Sequence, residues 1–137
     1  MYTYLGRAHL EVEDQAAART DFEKELERNP NDFDSNLHLA ALLKDAQEFD
    51  RARKLLDRAL LVRPGDLATL YQVASLDIAQ GEFENARVVL ERIVKEAPQF
   101  REAHISLATV YYRLKRKSDG DREREIVKTL KPVGESK

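Results

Sequence analysis

The chain contains no cysteine, and glycine and proline account for only 5 and 4 of its 137 residues. The lack of cysteine excludes disulfide scaffolds, thiolate zinc sites and cysteine nucleophiles. The scarcity of glycine and proline argues against collagen-like, linker and β-sandwich architectures. A formal net charge of -2 provides no overall field that would attract nucleic acid or an anionic membrane, so neither is expected as a partner.

Long apolar runs are also missing, since no stretch approaches the roughly 20 residues that span a bilayer. The first residues, Met1–Gly6, lack the basic and apolar leader of a secretory signal. We therefore favour the cytoplasm, and the periplasm stays open if a signal sequence was removed. Hydrophobic residues make up 42% of the chain, which is enough for one compact domain or one short array.

The four prolines reveal an internal period of 34 residues, because they stand at Pro30, Pro64, Pro98 and Pro132. A large apolar residue followed by a small one recurs with the same spacing. These pairs are Leu5-Gly6, Leu39-Ala40, Val73-Ala74 and Leu107-Ala108. Self-similarity at this period is typical of proteins built from stacked helical hairpins, in which each hairpin buries its apolar face against the next.

The second repeat shows most clearly how each hairpin should fold. Its first helix, helix A, should be capped or charged at its start by Asp34 or Ser35. A short turn is expected around residues 46–48, and the second helix, helix B, should run from about residue 50 to 62. In the third repeat Gly81 occupies the corresponding turn, where a positive backbone angle is easy for glycine.

This pattern resembles the tetratricopeptide repeat (TPR). The second repeat carries the family signature as Asn36, Leu39, Ala40, Leu43, Ala52, Leu56, Ala59 and Pro64. The resemblance covers residues 1–134 and implies an all-α fold, a right-handed superhelical α-solenoid of about four helix-turn-helix repeats with eight helices. We expect a single array over residues 1–132 and a disordered tail over residues 133–137. The approximate repeats are 1–32, 33–66, 67–100 and 101–134.

The fourth repeat departs most from the pattern. Gly120 replaces a close-packing alanine, and Arg124 replaces a bulky apolar residue. A polar helix B suits the end of an array, where its outer face meets water. We interpret the basic run over 113–124 as such a solvated helix end rather than a phosphate-binding patch. Because helix A of the first repeat is about two residues short, we favour a fragment of a longer protein over a complete small one.

The resemblance also implies a function, because TPR partners usually lie in a groove formed by the A helices. It predicts a non-catalytic protein-protein interaction module, an adaptor or scaffold, that binds a peptide or helix. An apolar strip bordered by cations would suit a partner with some acidic character. The expected groove residues are Arg7, Leu37, His38, Lys44, Tyr71, Gln72, Ser75, Ile105, Tyr112 and Arg113.

Several of these residues have a simpler interpretation. Leu37 and Ile105 could equally pack between adjacent A helices. Tyr71 and Tyr112 are stronger candidates for partner contacts, because an aromatic ring with a polar tip suits an interface. His38 is more simply a half-exposed helix residue than a pH-sensitive contact.

Other functions find little support. The two-carboxylate clamp for chaperone tails is absent, because Ala68 and Gln72 stand where Lys and Arg belong. His9, His38 and His104 lack ligand spacing, so no metal site and no cofactor are expected. No phosphate loop or nucleophile motif indicates an enzyme. The alternative function is self-association within a larger multidomain protein, in which the open N-terminal end or apolar faces pair with another copy.

Overall fold

The computed structural model describes the backbone of residues 4–130 and the side chains of residues 14–130. Every regular element in that range is an α-helix, so the predicted all-α class is confirmed. The helices are α1 (Tyr4–Arg28), α2 (Phe33–Asp45), α3 (Phe49–Val62), α4 (Leu67–Ala79), α5 (Phe83–Glu96), α6 (Arg101–Arg113) and α7 (Lys117–Thr129). None of these helices combines the length and the hydropathy that crossing a bilayer requires.

The helix bounds repeat with the period that the prolines predict. The A helices α2, α4 and α6 begin at residues 33, 67 and 101, and the B helices α3, α5 and α7 begin at residues 49, 83 and 117. Both series therefore advance by the spacing of the prolines. Each A helix forms a hairpin with the B helix that follows it.

The prediction of eight helices is wrong for the first repeat, where α1 is one continuous helix and seven helices occupy residues 4–130. The expected turn falls near residue 13, where the chain has Glu13 with a nearby run of alanines, 16–18. Glutamate and alanine are strong helix formers, and no glycine there favours a left-handed turn. The local sequence therefore favours continuing the helix.

The turns of the other three repeats share one geometry. Gln47, Gly81 and Lys115 occupy the same position in successive repeats, and their φ angles are 63°, 76° and 65°. In each turn the N–H of the next residue donates to a carbonyl five residues earlier at 2.8 Å, as in the Schellman motif. The prediction for Gly81 is confirmed. The other two residues adopt the same left-handed conformation at a typical cost of about 1 kcal/mol.

The cap of α2 is Asp32 rather than the expected Asp34 or Ser35, and α4 begins with the equivalent cap, Asp66. Asp32 accepts a hydrogen bond from the Ser35 N–H at 2.9 Å, and Asp66 accepts one from the Thr69 N–H at the same distance. Ser35 is thus a donor in the first turn, and Asp34 lies within that turn. An aspartate before the first turn satisfies a free N–H and complements the helix dipole.

The described helices group into two compact units that divide after Pro64. The first unit contains α1–α3 and the second contains α4–α7. In both, small residues are buried where the A and B helices approach, as predicted. These are Ala40, Ala52, Ala74, Ala86 and Ala108. The single array over 1–132 and its handedness stay predictions, and the tail over 133–137 lies outside the described residues.

Candidate functional site

The predicted groove residues of the first unit lie on α1 and α2. The side chain of Arg7 is outside the described range. Leu37 is half-buried on α2. Lys44 is also half-buried there, and its ammonium lies 3.9 Å from a carboxylate oxygen of Asp45. Leu37 and Lys44 are thus half-buried residues of the helix surface. The Lys44–Asp45 distance is at the long end for an ion pair.

His38 is exposed on α2, and two contacts fix its ring. Its Nδ1 lies 2.8 Å from the carbonyl oxygen of Asp34. A carbonyl only accepts hydrogen bonds, so Nδ1 carries the proton in this arrangement. The ring also stacks on Phe22 of α1, with centroids 5.6 Å apart and planes inclined by 15°. His38 therefore helps to join α1 and α2 while remaining accessible.

In the second unit, Tyr71 links the two A helices. Its hydroxyl shares a hydrogen bond of 3.2 Å with the hydroxyl of Ser106 on α6. Its ring lies 5.3 Å from the ring of Phe100, the residue that precedes α6. Tyr71 is half-buried as a result. It takes the packing role between A helices that the sequence offered as an alternative for Ile105.

Ile105 is the more accessible of the two, with 40% of its surface exposed. It stands on α6 at the same repeat position as Tyr71 on α4. Gln72 and Ser75 are half-buried on α4. We call the surface formed by Tyr71, Gln72, Ser75 and Ile105 the α4–α6 face. The structure thus brings four of the predicted residues onto two neighbouring helices.

Tyr112 and Arg113 turn toward the B helices. The hydroxyl of Tyr112 donates to a carboxylate oxygen of Asp121 on α7 at 2.6 Å. Its ring covers Gly120 so closely that a Cβ there would lie 2.7 Å from a ring carbon. Hydrogen bonds from Lys117 and then from Tyr112 hold the pKa of Asp121 below its usual range. Tyr112 is therefore an interhelical contact of the fourth hairpin.

Arg113 has a partner within the second unit as well. Its guanidinium lies 4.6 Å from the centroid of the Phe83 ring, at the start of α5. This cation–π distance is favourable. The charge stays exposed, so Arg113 can still contribute to the potential of the surface.

A second surface, which the sequence did not single out, lies between α6 and α7. We call this opening of about 390 Å³ the α6–α7 cleft. Two cations stand on its α7 side, and apolar atoms form most of its wall. The lining residues are Ile105, Ala108, Thr109, Tyr112, Arg124, Val127 and Lys128. The sequence signal for this surface is Arg124, which replaces a bulky apolar residue and which the sequence pattern alone led us to interpret as part of a solvated helix end.

A buried polar pair, His104 and Glu123, also joins α6 to α7. His104 places Nδ1 2.6 Å from a carboxylate oxygen of Glu123 and Nε2 2.7 Å from the carbonyl oxygen of Pro98. Nε2 must donate to that carbonyl. At the start of α2, Asn36 donates in the same way to the carbonyl of Pro30 at 2.9 Å. His104 and Asn36 thus each fasten the start of an A helix to the loop before it. Within residues 14–130, no cluster of three side chains that could hold a metal ion occurs.

Comparisons with known sequences agree with this repeat architecture. Two sequence models of the tetratricopeptide repeat match residues 9–75 and 71–120. Superkiller protein 3 of Saccharomyces cerevisiae is 26% identical over 112 residues. That match covers 82% of this chain and 8% of the yeast protein.

Solved structures show the same fold. MamA from Desulfovibrio magneticus superposes with a TM-score of 0.79 at 20% identity, over 93% of this chain and 72% of that one. A tetratricopeptide repeat protein from Parabacteroides merdae gives 0.78 at 18% identity, over 90% of this chain and 49% of that one. At these identities the similarity shows a shared fold and carries no information about ligands.

Proposed function

Because the chain belongs to the tetratricopeptide-repeat family, we propose that it binds a peptide or helix of a partner protein along the A helices of its repeats. The family in general provides protein-interaction scaffolds without enzymatic activity. The chain then acts as an adaptor or as the scaffold region of a larger protein. Its affinity comes from surface complementarity, and no chemical step is involved.

The exposure of Ile105 is the observation that carries the proposal. Isolated exposed apolar residues are common and need no explanation. Ile105, however, stands at the repeat position that the family uses for partner contacts, on a face with the half-buried polar side chains of Gln72 and Ser75. A partly exposed apolar centre with a polar margin is the usual composition of a peptide-binding surface.

Tyr71 joins the two helices that form this surface. Its contacts with Ser106 and Phe100 hold α4 against α6, so the face is formed before a partner arrives. A preformed surface loses less conformational entropy on binding. We therefore assign Tyr71 to holding the face together, and Ile105 and Gln72 to partner contact.

Affinity capture with three variants tests the proposal. Ile105→Glu places a charge on the face, and Gln72→Glu does so on α4. Val88→Glu is the matched control, because Val88 is 56% exposed on the B helix α5 of the same unit. We expect the control to capture the same partners as the unchanged protein, and each face variant to lose about tenfold in recovery, as for a contact worth about 1.4 kcal/mol. Unchanged recovery in both face variants would refute the assignment.

Self-association is a second candidate, and exposed apolar residues of the first unit favour it. Leu61 and Val62 are adjacent on α3, and both are exposed. Light scattering over a hundredfold range of concentration separates the two candidates. A mass that stays monomeric throughout argues against self-association, whereas a dimer that Leu61→Glu abolishes would establish it.

A further inference from the structure

We propose that the α6–α7 cleft binds an acidic amphipathic helix of another protein, which occupies on the fourth repeat the place that α6 occupies on the third. This surface is distinct from the α4–α6 face, although Ile105 borders both. The argument begins from how the third repeat receives α6.

On the third repeat, α4 and α5 together receive the next helix. α6 packs against both of them. Tyr71 of α4 bonds to Ser106, and Glu91 of α5 accepts a hydrogen bond from the hydroxyl of Tyr111. Under this cover Leu90 and Ile93 are fully buried. The two helices of the hairpin, α4 and α5, therefore form one surface that receives the next helix. We call such a surface on a hairpin its seat.

The fourth repeat presents the same seat one period later in the chain. Ile105 and Ala108 of α6 correspond to Tyr71 and Ala74 of α4, and Val127 of α7 corresponds to Ile93 of α5. These side chains of the fourth repeat line the cleft. The partial exposure of Ile105 contrasts with the burial that α6 imposes on the third repeat. An apolar floor between two helices suits the apolar stripe of a third helix.

Two substitutions within this seat determine the chemistry of the occupant. Arg124 stands where the third repeat has Leu90, and Lys128 stands where it has Val94. Leu90 is 0% exposed beneath α6, so a helix seated on the fourth repeat would come against the guanidinium at that point. Burial of an unpaired cation is costly, and a carboxylate on the incoming helix removes that cost.

The charges around the cleft leave Arg124 available. Lys128 lies 3.0 Å from Glu125 in an exposed pair, and Asp121 is engaged by Lys117 and Tyr112. Arg124 forms no ion pair within 4.0 Å among the residues that the structure describes, and its charge acts on Asp121 only as a weaker contribution at longer range. A carboxylate on the incoming helix would give this guanidinium its partner. A helix with an apolar stripe and glutamates or aspartates beside it therefore fits both the floor and the edge.

Two synthetic helices provide the probe. Both are stapled peptides of about four helical turns with leucine along one face, and they differ only in carrying either glutamate or lysine beside that face. Binding is measured by fluorescence anisotropy, and the site is located by NMR shift changes of the intact chain. The test variant is Arg124→Glu with Lys128→Glu. The matched control is Arg92→Glu with Lys95→Glu, which reverses two exposed cations on α5.

We expect the glutamate helix to bind the unchanged protein and the control alike, and to bind the test variant about tenfold more weakly. The lysine helix should show the opposite preference, and shifts should centre on Ile105, Thr109 and Val127. Circular dichroism verifies that both double variants stay folded, as expected for exposed sites.

Three outcomes would overturn the proposal: equal binding of the glutamate helix to the unchanged and test proteins, shifts centred on α4, or dimerisation through the cleft without peptide. The last would identify a second copy as the occupant. Capture of a partner through the α4–α6 face should not respond to the test variant. Failure of this proposal and failure of the proposed function are therefore distinguishable.

Discussion

The third and fourth repeats share one backbone plan and differ in what they place on it. Their A helices and their B helices begin at equivalent repeat positions, and both hairpins turn through a residue of positive φ. The third repeat packs Ala86 and Leu90, both at 0% exposure. The fourth has Gly120 and Arg124 at the same positions, and Arg124 is exposed.

This difference shows what determines the side chains of a B helix. Whether the following A helix packs over it matters more than the requirements of helix formation. α6 packs against α5, and the residues of α5 that are buried, Ala86, Leu90 and Ile93, are all apolar. α7 keeps nearly the same length as α5, although its charged residues far outnumber its apolar ones. Its position is maintained by specific contacts to α6, namely Tyr112 on Gly120 and the pair His104–Glu123.

The largest effect is expected from giving the third repeat the arginine of the fourth. Leu90→Arg would bury a guanidinium without a partner beneath α6, which should lower the free energy of unfolding by about 4 kcal/mol or more. Urea unfolding followed by circular dichroism measures this. The reciprocal change, Arg124→Leu, should stay within about 0.5 kcal/mol of the unchanged protein, as is usual for exposed sites. Similar losses from both changes would contradict the difference in cover.

The next effect concerns the buried pair, since the third repeat has Leu70 and Val89 where the fourth has His104 and Glu123. Each single change, His104→Leu or Glu123→Val, leaves a polar partner buried and should cost about 2–3 kcal/mol. The double change restores the apolar arrangement of the third repeat and should recover the part of the loss that comes from the unpaired side chain, whereas the carbonyl of Pro98 stays without the donor that His104 provides. Even for two fully charged partners, replacement of a buried pair by apolar residues is often neutral or stabilising.

A double-mutant cycle from chemical denaturation at constant pH measures this coupling. Additive losses in the double variant would mean that the two side chains act independently. The change Glu123→Gln is a further control, because an amide retains a hydrogen-bond acceptor and its volume while removing the charge. It should cost less than Glu123→Val if the hydrogen bond matters more than the charge.

Much of the fold could be predicted from the sequence, because the repeat makes local signals add up. The prolines and the paired apolar and small residues each mark the same position in several hairpins, and Gly81 marks the turn of one of them. In the second repeat the sequence predicts a turn around residues 46–48 and a second helix from about residue 50 to 62, close to the observed Phe49–Val62, and the period carries both features to the next two repeats. The first repeat could not be resolved in this way, since turn and helix compete there over a few residues and Glu13 tips the local preference.

The candidate site was less predictable, because its contacts join residues that are distant in sequence. The position of Tyr112 in its repeat indicated a groove residue, but the missing side chain of Gly120 makes room for its ring. His104 and Glu123 are 19 residues apart on different helices. The cations of the α6–α7 cleft resembled an ordinary solvated helix surface. In each case the role of the residue depends on which side chain packs against it from another helix, and the repeat pattern does not show this.

The smallest effect tests whether Gly120 is a defect or a fitted position. Gly120→Ala should gain about 1 kcal/mol of helix propensity. The new methyl would collide with the ring of Tyr112, and overpacking of this kind costs about 1–3 kcal/mol. We expect a net loss of about 1 kcal/mol in thermal or urea unfolding, since displacement of the ring also weakens its hydrogen bond to Asp121.

In a Tyr112→Ala background the collision disappears, so the same Gly120→Ala change should stabilise by about 1 kcal/mol. A stabilising effect in both backgrounds would show that the ring of Tyr112 does not cover the glycine, and the fourth hairpin would then be a loosely packed copy of the third.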